Sequence, residues 1–164
     1  MSERFWDYSL AVYGRPGFAE AGLGLQARLG ADINMLLLCC WHATSGRGEL
    51  AGEELLRLIA RVRDWRETVI EPLRAMRRSL KAHPLPDAQE LRDRIEACEL
   101  EAERIEQSML EEEVSGPSPA DRSPAGGREA AAGSIGTYLS LLGIGAAEPD
   151  RADIDRLLDA AFPA

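Results

Sequence analysis

Apolar and polar positions along this chain alternate at intervals of three and four almost everywhere, the period of helices that bury one side. One stretch departs from that rule: Met35-Leu36-Leu37-Leu38-Cys39-Cys40-Trp41, seven apolar residues in succession. A helix without a polar side must be wrapped by other protein all round, so this segment reads as the centre of a bundle. Asp32 is suited to cap its start, and Ser45-Gly46-Arg47-Gly48 breaks it after Thr44.

Two helices precede it. Residues 3–13 place Phe5, Trp6, Ser9, Leu10 and Tyr13 near one side, with Ser2 as a cap and Gly14 as a stop. From Pro16, the positions Phe18, Gly22, Leu25 and Leu29 follow at helical spacing up to Gly30. After the centre, residues 51–62 bury Leu55, Ile59 and Val62. The next helix, 64–82, aligns Trp65, Val69, Leu73, Met76 and Leu80, and Pro72 inside it predicts a kink or a start delayed to Val69. His83-Pro84-Leu85-Pro86 is a turn, and Asp87-Ala88-Gln89-Glu90 has the form of a capping box.

The helix that follows carries the cleanest pattern. Leu91, Ile95, Cys98, Ala102, Ile105 and Met109 alternate spacings of four and three, a coiled-coil seam. A tight turn makes it antiparallel to its predecessor, and the seam is expected to close that hairpin. Charge agrees: residues 57–81 hold eight Lys/Arg against three acids, and residues 87–113 hold eleven acids against three Arg. The fold class predicted is all-α: a bundle of five or six helices over residues 1–113, a Pro/Gly/Ser linker over 114–133, and a helical segment over 134–164. Ile135, Tyr138, Leu139 and Leu142 mark its first helix and Ile154, Leu157, Leu158 and Phe162 its second. Free helices of that length are marginal, so docking on the bundle is expected.

Composition adds limits on function. The net charge of −9 is unequally shared: residues 1–83 carry 12 Lys/Arg against 10 Asp/Glu, whereas residues 84–164 carry 7 against 18. An acidic half repels phosphate backbones, which argues against nucleic acid, and the run from Arg57 to Lys81 is expected to be neutralised by the acidic helix after it. Three cysteines, two adjacent, suit reduced thiols and a cytoplasmic setting. The longest apolar run falls far short of the ~20 residues of a membrane helix, so no membrane association is expected.

Candidate chemistry is sparse. Gly22-Leu23-Gly24-Leu25-Gln26-Ala27 matches a dinucleotide-binding pattern but lies inside an amphipathic helix, without the strand that pattern requires. The better reading is glycines that let another helix approach. Cys39-Cys40-Trp41-His42 is dense in reactive groups, yet neighbouring helix positions point about 100° apart, and packing is the better reading. No metal and no cofactor is expected. A small-molecule pocket between the first and third helices would draw on Trp6, Tyr8 and Tyr13, with Asp7, Asn34 or His42 as polar groups. No nucleophile and base come together at any spacing, so no catalytic residue is assigned. The leading expectation is a non-enzymatic interaction or accessory protein whose partner is another protein, self-association included.

Several blocks bear a likeness to a known family. Phe5-Trp6-Asp7-Tyr8-Ser9 with Tyr13, then Gly30-Ala31-Asp32-Ile33-Asn34 running into Leu36 to Trp41, then Trp65, Pro72-Leu73-Arg74, Arg78 and Leu80-Lys81 occur in order. Over residues 3–110 the chain resembles a family of small proteobacterial proteins catalogued as a domain of unknown function. The resemblance implies a helical fold, a bacterial origin and a variable C-terminal part. It implies no reaction, cofactor or catalytic residue.

Overall fold

The computed structural model describes residues 4–115, 126–143, 145 and 147–163, and every element among them is helical. The order is α1 (Phe5–Tyr13), α2 (Phe18–Leu29), α3 (Ile33–Thr44), α4 (Gly52–Trp65), a π-helical turn (Arg66–Ile70), α5 (Glu71–Leu80), α6 (Asp87–Val114), α7 (Gly127–Leu141) and α8 (Glu148–Ala161). The cap expected at Ser2 and the middle of the expected linker, residues 116–125, lie outside the described residues. Gly127 to Gly133, read as linker from composition, belong to α7.

The chain divides into two compact units, one joining the part up to Arg57 with the described residues from Ser115 on, the other running from Leu58 to Val114. In the first, α3 is the centre. Every residue from Asn34 to Ala43 is buried, as its missing polar side requires. The Asp32 carboxylate accepts a hydrogen bond from the Asn34 N–H at 2.9 Å, the capping contact expected from sequence. Phe5 of α1 stacks on Trp41 with ring centroids 5.2 Å apart.

The C-terminal helices complete this unit. The Asp32 N–H donates to the Tyr138 hydroxyl at 2.9 Å, and the Leu50 N–H donates to Ser134 Oγ at 2.9 Å, so α7 satisfies backbone groups buried at both ends of α3 and its loop. Helix α8 lies along α2. Arg28 of α2 reaches Asp150 Oδ1 at 2.7 Å and Asp153 Oδ2 at 2.5 Å, while Arg15 donates to the Ala160 carbonyl at the end of α8 at 2.9 Å. Arginine at a helix C-terminus satisfies carbonyls that have no partner within the helix.

The glycine pattern now has a structural account. A Cβ on Gly22 would meet Ile33 at an ordinary 3.6 Å, but one on Gly24 would come within 2.7 Å of Asp153 Oδ2. Gly24 clears the seat of that carboxylate on Arg28. These residues serve helix packing.

In the second unit, α4 from Leu58, the π turn and α5 run on without a break in helical backbone, so residues 58–80 form one rod. Pro72 acts as a local widening where a kink or a delayed start was expected. Its ring would clash with the carbonyl four residues back, and the π turn just before it opens the backbone, with the Glu71 N–H bonding back to the Arg66 carbonyl. Helix α6 returns antiparallel to α5.

Candidate functional site

Trp6, Asp7, Tyr8, Tyr13, Asn34 and His42 differ in burial. Trp6, half-buried, shares a helical side with the exposed Leu10 and Tyr13, at spacings of four and three, and Asp7 is exposed. Tyr8 points inward with Phe5, Ser9 and Val12. Asn34 and His42 are buried on α3, and His42 Nδ1 lies 3.0 Å from the Gly48 carbonyl, tying down the loop after the helix. Cys39 and Cys40 are fully buried. Burial pushes the Cys40 thiol up to about 12 and the Cys39 thiol well above its ordinary value, so both are protonated at neutral pH and poor nucleophiles.

The hairpin of α5 and α6 is built differently from its expected seam. The residues of α6 that are buried are Ala88, Glu99, Ala102, Glu106, Gln107 and Leu110, and none of α5 is buried. Ion pairs join the two helices. Arg77 holds Glu99 in a two-pronged grip, Nε to Oε2 at 2.5 Å and Nη2 to Oε1 at 3.2 Å. Arg74 reaches Glu99 at 3.3 Å, Glu103 at 2.7 Å and, along its own helix, Glu71 at 3.0 Å. Arg66 in the π turn pairs with the fully buried Glu106 at 3.3 Å, and the Trp65 indole N–H donates to the Ala102 carbonyl at 2.9 Å. The hydrogen bond to Glu99 raises the Arg77 pKa above its ordinary value, which keeps this charge fixed.

The expected coiled-coil seam therefore turns aside from its neighbour. Of its six residues only Ala102 is buried; Ile95 and Met109 are intermediate, while Leu91 is 49% exposed, Ile105 is 40% exposed and Cys98 is exposed. The physical reason is a second stripe on the same helix. Glu99, Glu103 and Glu106 also recur at four and three, one position further round, and they meet Arg66, Arg74 and Arg77 on the facing rod. Each arginine brings a long hydrocarbon stem as well as a charge, so the ion-paired face can also exclude water.

What remains open is an apolar stripe. Leu91, Cys98 and Ile105 stand one heptad apart on α6, Met76 is 47% exposed on α5, and Leu85 is 62% exposed in the turn. On each helix the apolar positions lie about 100° round from the ion-paired ones in the same sense, which in an antiparallel pair puts both on one side. The 4–3 pattern that marks this surface is visible in the sequence; the sequence reading missed that its target is not the adjacent helix.

The fold and this surface define an all-α protein with an ion-paired helical hairpin that leaves apolar heptad positions open. The chain belongs to the family described as Protein of unknown function (DUF2390), whose family model matches residues 4–110. The match takes in α1 to the greater part of α6 and stops before α7 and α8. No curated protein and no solved structure matches the chain.

Proposed function

We propose that this chain is a non-enzymatic interaction protein that binds another protein chain through the apolar side of its hairpin. The observation that carries this reading is the exposure of Leu91, Cys98 and Ile105, heptad positions that coiled coils bury. The ion-paired interface beside them supports it. Because the arginine–glutamate contacts hold the two helices together, the apolar stripe is left over for a second helix of similar spacing. The free thiols, two of them deeply buried, support a reducing, cytoplasmic setting. The commitment of Arg66, Arg74 and Arg77 to glutamates of the same hairpin weighs against a phosphate-binding role for that run.

The test is substitution of the stripe in the full chain. Ile105→Arg is expected to abolish co-purification with the binding partner while the far-UV circular dichroism and thermal midpoint stay as in the parent, because residue 105 is at the surface. Turnover of a metabolite by the purified protein in an unbiased activity screen, unaffected by Ile105→Arg, would overturn the reading.

A further inference from the structure

We infer that α8 is a displaceable strap, and that the side of α2 beneath it is a docking groove for an acidic amphipathic helix of another protein. This surface belongs to the unit around α3, so the inference stands apart from the hairpin reading above.

Helix α8 itself shows what the groove accepts. It runs antiparallel to α2. Arg28, near the end of α2, binds Asp150 and Asp153 in the opening turns of α8, and Arg15, just before α2, binds the Ala160 and Ala161 carbonyls at its close. On α8 the positions Asp150, Asp153, Leu157 and Ala161 recur at spacings of three, four and four, and all of them are buried. On α2 the positions Ala21, Gly24 and Arg28 share one side at spacings of three and four. A Cβ on Gly24 would come within 2.7 Å of Asp153 Oδ2, so this side carries a notch for a carboxylate, with the Arg28 guanidinium beside it. Arg15 binds only main-chain carbonyls, which the last turn of any helix offers. A ligand therefore needs two carboxylates three residues apart, apolar residues four and eight positions beyond the second, and a helix that ends there.

The hold on α8 is open to competition. The Arg28 side chain is 40% exposed, so ions and rival carboxylates reach both of its pairs. The ion pair from α7, Arg128 to Asp159 at 2.7 Å, is also exposed. The apolar side chains that α8 buries are few: Leu157, Leu158 and Ala161. Gly143 and Gly145, both exposed, lie between α7 and α8, and glycine backbone accepts many conformations. The extent of the family match points the same way. Residues 4–110 include Arg15, Gly24 and Arg28, whereas α8 lies outside that block, so the groove is part of the family's definition and its present occupant is not.

The test uses the full-length protein and, as probe, a fluorescent peptide of residues 147–163. Asp150→Arg with Asp153→Arg in the full chain frees the groove of its own strap and is expected to raise affinity for the unmodified peptide about tenfold or more over the parent. Adding Arg28→Glu removes that gain. A peptide carrying Asp150→Asn and Asp153→Asn binds the opened chain about tenfold more weakly, having lost its charge-assisted hydrogen bonds. Ile105→Arg changes none of these affinities. In the parent, amides of residues 151–161 are expected to exchange at least about tenfold faster than those of residues 36–43, and faster still in high salt, because the strap opens while α3 stays folded. An opened chain that takes the peptide no better than the parent overturns the inference. So does an α8 that exchanges as slowly as α3, a measurement that needs no variant and decides the matter even if the charge reversals fail to fold.

Discussion

Cys39, Cys40 and Cys98 have the same side chain and three different surroundings, and the difference governs their chemistry. Thiolate is the reactive form, and burial withholds it from Cys39 and Cys40 while Cys98 faces solvent. A bulky maleimide at neutral pH is therefore expected to add once per native chain, at Cys98, and three times after denaturation, as read by intact mass. The two glycines of α2 make a second contrast. Gly22→Ala places its methyl at ordinary contact distance and gains helix propensity, so the thermal midpoint should hold or rise by the equivalent of up to ~1 kcal/mol. Gly24→Ala carries the same propensity gain but drives a methyl into Asp153 and Arg28, so its midpoint should fall. Sequence supplied the right suspicion at Gly24, that glycine serves close approach, whereas the contact at Gly22 is an ordinary one. It could not say that the neighbour is a carboxylate more than a hundred residues away.

Among the elements, the hairpin separates what a pattern announces from what it does. The 4–3 spacing of Leu91 to Met109 is a correct sign of an amphipathic helix, and α6 forms where it was expected. The pattern does not identify the surface that covers it. Two stripes with one period run along α6, and the charged one meets arginines on the facing rod while the apolar one is left to solvent. Glu106→Ala is the measure of that arrangement: it leaves Arg66 without its buried carboxylate and should cost about 1–3 kcal/mol in urea denaturation. Glu112→Ala, at an exposed position of the same helix, should stay within about 0.5 kcal/mol. The π turn belongs to this scale too. Pro72 announced a disturbance, and the backbone absorbed it by widening one turn, which keeps Arg66 in position for Glu106.

At the scale of the whole molecule, the unit around α3 is assembled from both ends of the chain. Arg28 hydrogen-bonds Asp150 and holds that carboxyl below its ordinary value of 3.8. A group with a lowered native pKa contributes stability that is full above its unfolded value and is lost as pH falls through the native one. The packing of α8 on α2 should accordingly weaken as pH drops below about 3.8, seen as faster amide exchange in residues 148–161. Asp150→Asn should weaken it already at neutral pH and flatten that acid dependence.

The sequence by itself determined the helical class, the order of the elements, the central place of α3 and the stops between helices. These follow from local periodicity and capping, which act within a few residues. Only the tertiary structure decided that α7 and α8 complete the core around α3, that the six residues proposed for a pocket divide between the inside and the outside, and that the hairpin closes on charge. Each of those outcomes is a choice among competing partners distant in the chain, and helical period is blind to which of two matched stripes finds its complement first.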